Sequence, residues 1–194
     1  MKGNFTPVTN TVEISFLAGE LIFTAIWLTV RIIVWINHKK IDIKREAMLL
    51  LMYVNLAVII RFVFYPMALV NGRIQPLVFD TNAIFPLKVN FIPYIRLSDY
   101  AYKKDLLVNL IGNIVMFIPT GIILPVLYRR LNNFFKAVAV GALISLCIEI
   151  LQLPFSARFS DIDDLILNTV GVAIGYGVYA LVKLLRKAVK KRSE

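Results

Sequence analysis

Five long apolar runs dominate this chain, at 13–36, 47–70, 106–128, 134–153 and 162–185. Each has roughly the twenty residues that a helix needs to cross about 30 Å of hydrocarbon, so the pattern predicts five membrane-spanning helices. The third run carries no formal charge over 106–128, and the fifth none over 165–182. The first run sits where a signal peptide would, but Glu13 and Glu20 interrupt it and no small-residue cleavage site follows. It is therefore expected to persist as an anchor helix.

The stretch between the second and third runs, 71–105, is too long and apolar for a plain connector. Pro76, Pro86 and Pro93 argue against a spanning helix there. The strings Arg73-Ile-Gln-Pro-Leu-Val-Phe-Asp80 and Ala83-Ile-Phe-Pro-Leu-Lys-Val-Asn-Phe-Ile-Pro-Tyr94, joined at the turn-like Asp80-Thr81-Asn82, read as two short extended pieces at the membrane interface. They form either a short hairpin or a re-entrant segment covered by protein or water. The expected architecture is an all-α polytopic membrane protein of about five transmembrane helices. Its extracytoplasmic interfacial segment, 71–105, roofs the bundle as a lid. The chain shows no internal repeat, and 1–194 is expected to be a single membrane domain.

Composition agrees: 59% of residues are hydrophobic and the mean hydropathy is +0.74, above what a soluble domain of this size carries. The net charge of +10 could suggest a nucleic-acid partner, yet no such motif appears. The cations instead flank alternate apolar runs. Lys39, Lys40, Lys44 and Arg45 follow the first; Arg129, Arg130 and Lys136 follow the third; Lys183, Arg186, Lys187, Lys190, Lys191 and Arg192 follow the fifth. Lysine and arginine bias toward the cytoplasm then predicts an N-terminus outside and a C-terminus inside. The C-terminal cluster is read first as this topology signal and second as a contact with anionic lipid.

Polar residues inside the apolar runs carry the chemistry, because an unpaired carboxylate or amide in hydrocarbon costs several kcal/mol. Asn109 and Asn113, four apart, fall in the first turns of the third helix. Glu149 and Gln152, three apart, fall in the last turn of the fourth. Asp161, Asp164 and Asn168 open the fifth, with Asp161 as its N-cap. All lie at one depth near the outer face. The short loop 154–160 adds Arg158, which neutralises the carboxylates or grips an anionic group.

Several other features have structural readings. Glu20 and Arg61 sit at comparable depth and are expected to pair. Gly171 and Gly175 suit close helix contact. Pro119 and Pro125 are expected to kink the third helix. Cys147, alone of its kind, is expected to be a small core residue rather than a nucleophile. His38, the sole histidine, lies in a cytoplasmic loop, which removes histidine chemistry from the outer cluster.

Taken in order, these residues resemble the VanZ-like family of bacterial membrane proteins. The resemblance rests on Asn109-Leu-Ile-Gly-Asn113-Ile-Val-Met-Phe-Ile-Pro119-Thr-Gly121, Glu149-Ile-Leu-Gln152, Arg158-Phe-Ser-Asp161-Ile-Asp163-Asp164 and Asn168-Thr-Val-Gly171, with Val89-Asn90-Phe-Ile-Pro93-Tyr upstream. It covers 89–179, and the first two spans match only in character. It implies a multi-pass protein of the bacterial plasma membrane, in a family whose name-giving member is associated with resistance to the glycopeptide teicoplanin. The family's polar positions carry over to Asn90, Asn109, Asn113, Glu149, Gln152, Arg158, Asp161, Asp163, Asp164 and Asn168 as ligand-binding residues.

Two functions remain in view. One is the binding of an extracytoplasmic lipid-linked ligand, such as a cell-wall precursor. The alternative is a membrane enzyme acting on a lipid-linked substrate, with Glu149 and Asp164 as candidate acid/base residues and Asp161, Asp163 and Asp164 as candidate oxygen ligands of a divalent cation. A transporter is disfavoured in a chain of five spans without repeat symmetry.

Overall fold

The computed structural model describes residues 11–39, 41–67, 69–86, 88–93, 103–156 and 158–192. Parts of the expected lid, namely Leu87 and residues 94–102, lie outside this set, as does Lys40. Five helices are long and apolar enough to cross a membrane: α1 (Phe16–His38), α2 (Ile43–Phe64), α3 (Lys103–Leu127), α4 (Phe134–Gln152) and α5 (Ile162–Arg192). Large apolar side chains such as Leu21, Ile32, Leu107, Leu151 and Leu181 are exposed around them. So wide an apolar surface is stable only against lipid.

Local chemistry sets the helix limits, and two differ from those expected. The first helix starts at Phe16 rather than near Glu13, because Ser15 caps it, accepting from the Ala18 N–H at 3.2 Å. The second runs from Ile43 to Phe64 instead of 47–70. Asp42 caps its start, accepting from the N–H groups of Lys44 and Arg45. At its other end, Tyr65 precedes Pro66, a position that disfavours helical backbone. Pro119 and Pro125 both lie inside α3, which runs through them as one helix.

At one end of the bundle short strands form a roof. β1 (Thr11–Ile14) pairs antiparallel with β4 (Leu77–Asp80), β2 (Leu69–Val70) with β3 (Arg73–Ile74), and β5 (Val89–Asn90) runs parallel to β6 (Ser160–Asp161). The β2–β3 turn uses Asn71 and Gly72, both at positive φ, as an Asn-Gly hairpin requires. The hairpin is thus shorter and earlier than expected, and the two longer extended pieces do not pair with each other: Leu77–Asp80 and Val89–Asn90 pair with segments remote in sequence. A bridge between Phe79 and Phe155, with Asp80 N–H donating to Pro154 O at 2.9 Å, ties the roof to the α4–α5 loop.

The helices meet at Ile59, Phe117, Ile148 and Val172, one each from α2, α3, α4 and α5. α3 and α5 touch backbone to backbone. A methyl group added to Gly171 or Gly175 would collide with the carbonyl oxygens of Ile114 or Ile118, and one on Gly121 with that of Val172. The expectation of close packing at Gly171 and Gly175 therefore holds, with the contact inside the bundle. α1 packs chiefly on α2, through the stacked rings of Phe23 and Tyr53 and a Thr24–Tyr53 hydroxyl pair at 2.8 Å.

Candidate functional site

Under the β5–β6 pairing, three helix ends bring polar side chains together. Glu149, in the last turn of α4, is only 3% exposed. Its Oε2 accepts from the Asp161 N–H at 3.0 Å. Asp161 in turn accepts through Oδ1 from Asn90 Nδ2 at 3.1 Å and from the Asp163 N–H at 3.1 Å. The second of these is the expected cap on the first turn of α5. One helical turn along, Asn113 of α3 donates to Asp164, which also faces Asp161, Asp163 and Arg158.

Deeper still, Asn168, 1% exposed, donates to Ser145 Oγ at 2.9 Å across α4 and α5. Gln152 donates to Val63 O at 2.8 Å, and Arg158 Nε to Phe64 O at 2.7 Å; both thereby satisfy carbonyls at the end of α2. Burial holds the Arg158 guanidinium below the usual arginine range; Asp164 opposes this and Arg61 adds to it.

The profile of the VanZ/LLP1 family matches residues 47–183 of this chain. The chain belongs to the VanZ-like family. Over 73 residues it is 38% identical to Protein VanZ of Enterococcus faecium, a match covering 38% of this chain and 45% of that protein. The chain thus spans less than half the length of this curated relative. No solved structure matches it. The family match reaches back through most of α2, beyond the stretch 89–179 that carries the motif residues.

Nine of the ten VanZ-like positions therefore lie in the cluster or in the shell that joins it to α2. Asn109 does not. It is exposed on α3, one turn from the buried Asn113, and makes no hydrogen bond among the described residues. Four residues along a helix is a rotation about 40° past a full turn and a rise of about 6 Å, and only the deeper of the two meets α5, through Asp164.

The expected Glu20–Arg61 pair is also absent among the described residues. Arg61 donates to the carbonyls of Tyr65 and Pro66 and lies over the rings of Phe16 and Phe62, at 5.6 and 5.3 Å. Cation–π contact and the end of α2 thus satisfy the guanidinium in place of a carboxylate. Nor do any three His, Cys, Asp or Glu side chains among the described residues gather closely enough to hold a metal ion. Asp161 and Asp164 accept from separate amides, those of Asn90 and Asn113.

Sequence reasoning passed over three polar partners. Ser145 sits four residues before Glu149 and so shares its face. Asn55 donates to Met116 O at 2.8 Å and accepts from Thr120 Oγ1 at 2.7 Å in the bundle interior. Both Ser145 and Asn55 carried the signal used for the others, a polar side chain within an apolar run. Among the described residues an ion pair of Arg31 with Glu46 joins α1 to α2 at the opposite end from the roof.

The cluster leaves specific atoms unmet. Among the described residues, Glu149 Oε1, Gln152 Oε1 and Asn168 Oδ1 are buried acceptors with no donor, and Arg158 Nη2 is a buried donor with no acceptor. Glu149, Asp161, Ser160 and Asn90 form the polar side of a cavity of about 190 Å³, whose other side is Leu146, Ile150 and Leu165. An apolar groove of about 640 Å³ between α4 and α5 shares Leu146 and Leu165 with it.

Proposed function

We propose that this protein holds the polar head of a lipid-linked envelope molecule in the cavity between Glu149, Asp161 and Asn90, with the attached hydrocarbon lying in the adjoining α4–α5 groove. The observation that carries this reading is Glu149, which lines that cavity and whose Oε1 is a buried acceptor without a donor among the described residues. Leaving such an atom unmet costs about 1–3 kcal/mol, so the site favours a ligand that brings N–H or O–H groups. Four carboxylates stand against one guanidinium in the cluster, which selects for hydroxyl, amide or ammonium donors.

The basic residues flanking the end opposite the roof support a reading with that end in the cytoplasm, the cavity at the outer leaflet, the N-terminus outside and the C-terminus inside. A molecule reached there is a cell-wall precursor or a related lipid-linked saccharide or peptide. By holding it the protein contributes to glycopeptide resistance of the teicoplanin type in the bacterial plasma membrane.

The test is teicoplanin susceptibility of a Gram-positive host expressing the full chain or its Glu149→Gln variant. The expected result is complete loss of the protective shift in the variant, with unchanged protein in the membrane. Protection that survives Glu149→Gln at equal protein level overturns the reading. A photoreactive isoprenoid-linked saccharide should label α4 or α5 in the wild type and fail to do so in the variant.

A further inference from the structure

At the end of the bundle opposite the polar cluster, a second groove of about 810 Å³ runs between the end of α3 and α5. Its floor is apolar, with Val126 on α3 and Val182 on α5. Its rim is cationic: Arg129 in the turn after α3, and Lys183, Arg186 and Lys187 on α5. Among the described residues no acidic side chain lines it. We propose that this groove is a binding site for an anionic phospholipid of the leaflet at that end, its phosphate on the cationic rim and an acyl chain along the valines.

Three observations converge on that occupant. First, α5 has 31 residues, a length of about 46 Å, against the roughly 30 Å that hydrocarbon requires. Its last ten or so residues therefore emerge at the headgroup level, where the rim stands. Second, the cations come from two separate elements facing one concavity, whereas a pure topology signal needs only to flank a span. Third, the rim side chains are exposed and the Lys183 ammonium lies 5.7 Å from the Tyr179 ring, which keeps this cation beside the groove. Basic concavities between helices at a membrane surface hold anionic head groups by charge, with the acyl chain supplying apolar contact.

The experiment is native mass spectrometry of the full chain released from phosphatidylcholine nanodiscs that contain a minority of phosphatidylglycerol. The wild type is expected to retain phosphatidylglycerol over phosphatidylcholine by about tenfold. The exposed-site variant Lys183→Gln/Arg186→Gln/Lys187→Gln should lose that preference. Lys44→Gln/Arg45→Gln, which removes charge at the same end but outside the groove, should keep it. Val126→Trp fills the floor without altering charge and should also reduce retention.

Equal preference in the triple variant overturns the proposal. So does equal loss in the Lys44/Arg45 variant, which would make the effect one of net charge, or full retention in Val126→Trp. Complete displacement of the lipid by inorganic phosphate would reduce the groove to a simple anion site and likewise overturn it.

Discussion

α1 buries one side chain, Arg31, whereas α5 buries Asn168, Gly171, Val172 and Gly175 against its neighbours. Both are long apolar helices, yet what holds them differs. α5 is held by the absence of side chains, at glycines that let α3 come into backbone contact, and by amides that cross to α4. α1 is held by aromatic stacking and by groups at its ends: the Phe23–Tyr53 rings, the Tyr65 hydroxyl donating to Ser15 O at 3.2 Å, and the Arg31–Glu46 pair. Apolar residues alone do not drive helices together in lipid, because the lipid tails are as apolar as they are. Small and polar residues therefore mark where protein replaces lipid, and of those on α1 only Arg31 is buried.

The sharpest way to break this contrast is at the α3–α5 contact. Gly175→Ala places a methyl against the Ile118 carbonyl and is expected to destabilise the detergent-solubilised protein by about 3 kcal/mol. Gly177→Ala, two residues along the same helix and facing open space, should leave thermal unfolding unchanged or raise it. Equal behaviour of the two variants would mean that α5 is not in backbone contact with α3.

A smaller loss is expected from Asn113→Leu, which strips Asp164 of its amide donor. About 2 kcal/mol of stability should go, read by chemical denaturation.

The least costly changes fall on α1 and α2. A double-mutant cycle of Arg31→Met with Glu46→Gln should give a coupling of about 1 kcal/mol. The same cycle on Glu20→Gln with Arg61→Gln should give none, and a coupling there as large as the Arg31–Glu46 value would restore the pairing that depth alone suggested.

The site was legible to the extent that chemistry showed as composition. Asn113, Glu149, Asp161, Asp164 and Asn168 stood out because each interrupts an apolar run, and they do converge. Asn109 carried the same signal and failed, because a sequence shows that a residue is polar within a span but not which face a neighbouring helix covers. Asn55 was missed because, singly placed, it lacked a nearby polar partner in sequence, and Ser145 although it shares a face with Glu149; the hydrogen-bond partners of both come from other helices.

By itself, then, the sequence determined the solvent, the five crossings, the glycine contact and the level of the polar cluster, since each follows from local length, composition and periodicity. Tertiary structure alone decided which segments pair in the roof, that Arg61 turns to carbonyls and rings instead of Glu20, and that Glu149 lines a cavity and keeps one buried oxygen unmet. Those outcomes depend on which surfaces meet across large separations in the chain. No local pattern encodes such a choice, because it is settled by competition among all the partners that folding makes available.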